Sequence, residues 1–213
     1  MKSATTVRLR FAKRGDLRLV SHHDLLRCLE RMLRRAHLPI AFTQGFNPRP
    51  RVTFALALGL GIEAWSEVVD LELWEPRAPA EVLHGLRDVS PAGFDWIHAF
   101  PIDAESPSPR ICWAEYQLPV PPERRSHARA ALLELLGGAN RLIVRRRPGR
   151  EQTFDLRPHV LAAELLDDGV LRFRLKVAPD GSARPEELLD AIQLRDLLDT
   201  GAVLVRTNLE LVT

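Results

Sequence analysis

The chain has 213 residues and the composition of an ordinary soluble globular protein, enough for one large core or two of about 100 residues each. Its net charge of +2 hides a segregation: residues 1–58 hold 12 Lys and Arg against 3 Asp and Glu, residues 59–109 hold 2 against 10, residues 110–160 hold 10 against 5, and residues 161–213 hold 6 against 10. No run of about 18 apolar residues exists to span a bilayer and no signal-peptide core follows Met1, so a cytoplasmic protein without a membrane anchor is expected, while Cys28 and Cys112 stand outside any CxxC or Cys/His spacing and read as buried, inert thiols.

Residues 7–12, Val-Arg-Leu-Arg-Phe-Ala, alternate apolar and basic with the period of a half-buried strand. Val7, Leu9 and Phe11 point inward, Arg8 and Arg10 outward. Lys13-Arg14-Gly15-Asp16 makes a basic turn, a candidate phosphate contact, and residues 17–20 continue extended through Arg18. Ser21 predicts a helix N-cap, with Asp24 three residues on to answer the cap and the helix dipole. Leu25, Leu26, Leu29, Met32, Leu33 and Ala36 then form an apolar stripe. The other face carries Arg27, Arg31, Arg34 and Arg35, and since Glu30 is the one acidic residue after the first turn, pairing within the helix cannot neutralise them. Water, an anionic ligand or the acidic 59–109 segment must supply their counter-charge. Pro39 ends the helix. After the short extended piece Ile40-Ala41-Phe42 comes Gln44-Gly45-Phe46-Asn47-Pro48-Arg49-Pro50-Arg51, where glycine and two prolines fix an irregular backbone that offers stacking, hydrogen bonding and charge.

Residues 51–58 and 67–74 read as strands, the second with acidic residues alternating, residues 79–89 as a helix opened by Pro79, and residues 94–100 as a strand. Strand, helix, strand, strand, helix, strand is the order of a ferredoxin-like fold. Residues 101–110, rich in Pro and Ser, read as a linker, which places a first domain at 1–105 and a second at 106–213. In the second, residues 111–120 form a strand containing Tyr116, and residues 123–136 a helix ended by Gly137-Gly138. Leu142-Ile143-Val144 runs into the basic tip Arg145-Arg146-Arg147, and residues 149–154 form a loop. Residues 160–166 and 170–177 pair as a hairpin across Asp167-Asp168-Gly169, followed by a helix at 185–192 and a strand at 202–212. The expected fold class is therefore α+β, as two tandem ferredoxin-like (βαββαβ) units with antiparallel sheets, the second with an extra strand.

The chemistry suggested is binding. Concentrated Arg is the footprint of phosphate contact, because each contact releases counterions. Lys13, Arg14, Arg18, Arg31, Arg34 and Arg35 could flank one surface with the loop, where Phe46 could stack on a base beside Gln44, Asn47 could read an edge, and Arg49 or Arg51 could hold phosphate. Phe46 could equally be a plug that tucks the loop onto the sheet. His22 and His23, at a helix N-terminus that favours neutral imidazole, are weak catalytic candidates without an identifiable second group. His37, His84, His98, His127 and His159 are scattered without the i, i+4 spacing of a helical metal pair, and Gly59-Leu60-Gly61 lacks the rest of a nucleotide-binding motif, so neither a metal nor a cofactor is expected.

Phe11-Ala12-Lys13, residues 19–25 (Leu19-Val20-Ser21-His22-His23-Asp24-Leu25), Arg31, Arg34-Arg35-Ala36, Leu38-Pro39, Gln44-Gly45-Phe46-Asn47-Pro48, Pro50-Arg51-Val52-Thr53-Phe54-Ala55 and Glu67-Val68-Val69-Asp70 together form a recognisable pattern. It resembles the bacterial radical-SAM-linked proteins, a family of unknown function encoded beside or fused to a radical SAM protein that looks cobalamin-dependent. The match is dense over residues 7–75, and Asp155-Leu156-Arg157-Pro158 and Arg184-Pro185-Glu186 extend it, while His23 stands where the family pattern has an apolar residue. The resemblance implies a radical SAM partner. Since this chain has no CxxxCxxC, the cluster must lie on another polypeptide. More distantly, the tandem order with a basic first helix is similar to the CRISPR repeat-RNA endonucleases, an analogy of fold that transfers no activity. The expected function is a non-catalytic accessory protein that binds tRNA or rRNA and serves that partner in RNA modification. The alternatives are a metal-independent RNA-cleaving enzyme using His22 or His23, and a protein-interaction module without nucleic acid.

Overall fold

A computed structural model of the chain describes residues 5–103, 106–147, 149–178 and 181–212. The fold is α+β, with helices packed on mostly antiparallel sheet. Two compact units divide the chain: one runs to Ile111 and takes in the chain from Leu211, and the other spans Cys112–Glu210. Among the described residues no helix is long and apolar enough to cross a membrane.

In the first unit β1 (Thr5–Lys13) leads through a 3-10 turn (Gly15–Leu19) into α1 (His22–Arg35), followed by β2 (Val52–Phe54), β3 (Glu63–Leu73), α2 (Pro79–Val89) and β4 (Phe94–Ile102). β1 lies between β3 and β4, antiparallel to both, and β2 pairs antiparallel with β3, from Val52 opposite Leu71 to Phe54 opposite Val69. The alternation of β1 sends Val7, Leu9 and Phe11 to one face. There they meet Val69, Leu71 and Leu73 of β3, the stripe Leu25, Leu29, Met32 and Leu33 of α1, and Val82 and Leu86 of α2. Phe11 sits centrally, stacked on Phe94 at 4.9 Å between centroids, tilted to Trp96 at 5.6 Å and edge-on to Phe54 at 5.9 Å.

The end of β1 departs from the sequence expectation. Register shifts on both sides of the strand break the alternation, so that Phe11, Ala12 and Lys13 are buried in succession. The Lys13 ammonium donates to the carbonyls of Val20 (2.9 Å) and Arg18 (3.4 Å), closing the turn from inside instead of meeting solvent. Residues 15–19 wind into the 3-10 turn where an extended segment was expected. Gly93, at φ +83, receives a hydrogen bond from the Arg14 N–H at 2.8 Å and packs so closely that a Cβ there would strike the Arg14 carbonyl oxygen. On β4, the terminal strand, the Arg87 guanidinium from α2 donates to the carbonyls of Trp96 (2.8 Å) and Ile97 (3.3 Å).

The second unit comprises β5 (Ile111–Pro119), α3 (Pro122–Gly137), β6 (Leu142–Arg147), β7 (Arg150–Asp155), β8 (Val160–Leu165), β9 (Val170–Lys176), α4 (Pro185–Ala191), a short α5 (Asp196–Asp199) and β10 (Val205–Leu211). Its strands run β10-β5-β9-β8, with Tyr116 stacked on Phe173 at 5.3 Å in the core, while β6 and β7 pair as a separate hairpin. The expected loop at 149–154 is therefore mostly strand. The expected basic tip is also partly structural: Arg145 grips Glu187 with two bonds of 2.7 Å, donates to the Ser182 carbonyl at 2.7 Å and lies 3.4 Å over the Phe154 ring. Arg157, in the Asp155-Leu156-Arg157-Pro158 motif, ties the Leu136 carbonyl at the end of α3 (3.1 Å) to that of Val160 (3.2 Å).

Two contrasts test this packing. Gly93→Ala should cost about 1–3 kcal/mol for a strained, obstructed position, whereas Gly85→Ala in α2, whose Cβ would meet Ala36 at an ordinary 3.7 Å, should stabilise. Urea midpoints moving in the same direction for both variants would refute it. Burial pushes the Glu187 carboxyl up, but the bonds from Arg145 and the Arg184 N–H outweigh it and hold the group below the usual carboxylate range. A lowered folded pKa contributes stability above the unfolded value, lost as pH falls through the folded one. Glu187→Gln should therefore cost about 1.5–3 kcal/mol at neutral pH and progressively less below about pH 4. A melting-temperature difference that is the same at both ends of that range would exclude the ionic contribution.

Candidate nucleic-acid interface

Two sets of arginines in the first unit have opposite fates. On the open face of the sheet, Arg8 and Asp70 are direct cross-strand neighbours and meet in two bonds of 2.8 Å, with their side chains only 17% and 10% exposed. Arg10 donates to the Ser66 hydroxyl at 2.8 Å, and Arg51 reaches Glu72 at 3.0 Å in a more open pair. The acidic 59–109 segment thus neutralises Arg8 and Arg51.

It does not reach α1. Ser21 caps the helix as its position predicts, accepting from the Asp24 N–H at 3.2 Å while its hydroxyl donates to the Asp24 carboxylate at 2.7 Å. The Ser21 bond, aided by nearby Arg27 and His23, holds that carboxyl below the usual range. Arg27 takes its charge partner from Asp24 (3.3 Å), and Arg31 bonds only the Arg27 carbonyl (3.3 Å). Arg34 and Arg35 are exposed with no side-chain partner among the described residues. Arg27, Arg31 and Arg35 share one i, i+4 row, where like charges cost a helix about 0.2–0.5 kcal/mol per pair.

The loop is anchored to the end of β3. Ile40 bridges Leu73, the Ala41 N–H bonds the Glu72 carbonyl at 2.8 Å, and Phe42 bridges Pro50. Beyond that, the Thr43 N–H bonds the Arg49 carbonyl (2.9 Å) and the Arg49 N–H bonds the Thr43 hydroxyl (3.0 Å), which ties the loop at its neck. Gly45 turns the chain at φ +133, a value few other residues adopt. Gln44, Asn47 and Arg49 are exposed, and Phe46 is 106% exposed, so its ring stands in solvent and the plug alternative is excluded.

Register decides which residues share a surface. Thr5 pairs with Leu73, so β1 begins where β3 ends, and α1 returns along the sheet to bring Arg34 and Arg35 to that end, six and five residues before Ile40. The loop and the C-terminal half of the arginine face therefore share one end of the unit. Arg14 and Arg18 lie at the other end, about 20 Å away along α1 by its rise per residue. His22 and His23 are there too: His22 is half-buried, edge-on to Phe54 at 5.1 Å, and His23 is exposed. Cys28 and Cys112 are half-buried instead of sealed, and no cluster of His, Cys, Asp or Glu able to hold a metal exists among the described residues. A shallow polar cavity of about 260 Å³ on the open sheet face is lined by Thr6, Arg51, Thr53, Asp70 and Glu72, whose charges already answer one another.

Sequence reasoning missed two aromatics at the loop end. Trp74, whose backbone N–H donates to the Pro39 carbonyl at 2.9 Å, is 53% exposed, and Phe42 is 47% exposed. The available signal was position: each falls just beyond the last core residue of its segment, Leu73 and Ile40.

The profile of a family described as an uncharacterized protein conserved in bacteria (DUF2344) matches residues 6–185. The chain belongs to that family. The span shared with DUF2344 takes in β1, α1, the loop and everything up to the first residue of α4. No curated protein matches the chain. A solved structure titled "Crystal Structure of an Unknown Protein from Galdieria sulphuraria" is similar over 99% of each chain at 14% identity and a TM-score of 0.30, a likeness that carries no argument.

The unequal exposure of the two sheet pairs gives a direct test. Arg8→Ala strands a nearly buried carboxylate and should cost about 3–5 kcal/mol, whereas Arg51→Ala breaks an open pair and should cost under about 1 kcal/mol. Equal denaturant midpoints for the two variants would mean that Arg8–Asp70 contributes no more than a surface contact.

Proposed function

We propose that this DUF2344 chain is a non-catalytic accessory protein of the cytoplasm that binds RNA, either tRNA or rRNA, through Arg31, Arg34 and Arg35 and the Phe46 loop, alongside a radical SAM enzyme that modifies the RNA. The observation that supports RNA is the excess charge of the helix row: Arg8 and Arg51 of the sheet find carboxylates, while on α1 Arg27 alone has one and like charges stand side by side. A polyanion converts that repulsion into attraction and gains the entropy of counterion release. The exposed ring and Arg49 beside it supply the stacking and charge that single strands use. The partner follows from the family resemblance alone.

The strand orders support the finer description of each unit as ferredoxin-like. The first reads β4-β1-β3-β2, and the second, once the β6–β7 hairpin is set aside as an insertion, reads β10-β5-β9-β8. Lys13 drops out of the contact set because it is buried, and Arg14 and Arg18 contribute only to an RNA long enough to reach the far end. Packing of His22 against Phe54 favours a structural role over the RNA-cleaving alternative.

Replacing Arg31 and Arg35 together by Gln should weaken RNA binding at least about tenfold near physiological salt and reduce the slope of log affinity against log salt by about 1.4, two contacts at ~0.7 each for a single strand. Folding stability should stay level or rise slightly, since a repulsion is relieved. A slope equal to the parent's, in a variant that melts normally, would remove the helix face from the interface.

A further inference from the structure

We infer that the loop end of the first unit takes an unpaired stretch of RNA, with Trp74 as a second stacking ring behind Phe46; this rests on the RNA-binding proposal above and narrows its ligand. Phe46 has no folding role that could explain an aromatic at that position, because its ring touches nothing else in the unit and is exposed at 106%. The loop nevertheless holds it in place. Two bonds close the neck at Thr43 and Arg49, a third joins the Arg51 N–H to the Ala41 carbonyl at 2.8 Å, and Pro48 and Pro50 restrict the backbone between them. A ring held out on a tied loop gives up little entropy on binding, the condition under which one side chain can contribute strongly.

The geometry favours a splayed base over a helix. In A-form RNA the faces of the bases are stacked and the major groove is too deep and narrow for side chains, so between its two terminal pairs a duplex presents phosphates and 2′-hydroxyls but no free π-face. Phe46 has only a π-face to offer. Asn47 beside it carries a donor and an acceptor, the chemistry of a Watson–Crick edge that pairing would hide. Trp74 extends the platform: its backbone N–H donates to the Pro39 carbonyl and the neighbouring Ile40 is bridged to Leu73, which sets the residue at the root of the hairpin that carries Phe46. Root and tip are at most seven residues apart, a span of up to about 24 Å at 3.4 Å per residue. Arg49 lies between them in the chain to hold the backbone of the strand.

The test compares an unstructured oligoribonucleotide of about 12 nucleotides, within the usual single-strand site size, with a blunt RNA duplex of the same length, using the full chain. The parent should bind the single strand at least about tenfold more tightly than the duplex. Phe46→Ala should weaken single-strand binding about 5- to 150-fold, the range reported for loss of one base-aromatic stack, and leave duplex binding unchanged. Phe46→Tyr should restore it and Phe46→Leu should not. Tryptophan emission should be quenched at saturation in the parent, and in Trp74→Phe the quench should be lost while affinity stays within about threefold. Equal affinity of the parent for both RNAs, or equal loss of both in Phe46→Ala, overturns this inference while RNA binding stands. Failure of the parent to bind either RNA overturns the proposed function itself. If Phe46→Ala binds both RNAs like the parent but no longer co-purifies with a radical SAM protein, the loop is a protein contact and the inference falls.

Discussion

Arg8 and Asp70, facing one another across β1 and β3, constrain more of the molecule than their own two bonds suggest. Opposite charges so little exposed are tolerable only when bonded, and a slip of one residue would drive Arg8 into the apolar layer while turning Val7 and Leu9 to water. Ion pair and apolar alternation therefore exclude the same misregistered pairings. Once that register is set, Thr5 lies opposite Leu73, the hairpin at Ile40 and Ala41 can add only where β3 ends, and the loop leaves from there. The location of Phe46 is thus a consequence of pairing at the middle of the sheet.

The same constraint explains why counting arginines misleads in this protein. Of the 30 basic residues, 27 are arginine, a side chain whose planar fork suits carboxylates and paired carbonyls as well as phosphates. Arg145 is committed to Glu187, Arg157 to three backbone bonds on two carbonyls, Arg172 to Glu164 and Arg174 to Glu115. What distinguishes a surface for a polyanion is the remainder after these commitments, and in the first unit that remainder lies on α1, at the loop and at Arg14.

Local periodicity was legible and tertiary pairing was not. The apolar stripe of α1 and its Ser21 cap follow from spacing alone, as does the inward set of β1. β7 was hidden because Arg150–Asp155 is polar and stands off the main sheet, so no buried face imposes a period on it. Lys13 sits in a run that looks like a solvated turn, and only the bulges in β1 rotate it inward. The contact of Arg145 with Glu187 joins positions 42 residues apart, beyond the reach of any local pattern. For the proposed binding surface, composition pointed to the helix face and the loop, but sequence could not separate Arg14 and Arg18 from them, because the length of α1 matters only once the chain has turned back on itself.

Arg87 carries a final consequence. A terminal strand such as β4 exposes a row of backbone groups on which a second molecule could grow a sheet, and proteins that leave such rows open invite polymerisation. The guanidinium of Arg87 occupies the carbonyls of Trp96 and Ile97, and Pro101 further along the same strand has no N–H to give, so these positions of β4 offer a second strand less to pair with. The same unit thus leaves an aromatic ring bare at the tip of its loop while withdrawing backbone carbonyls of its terminal strand from solvent.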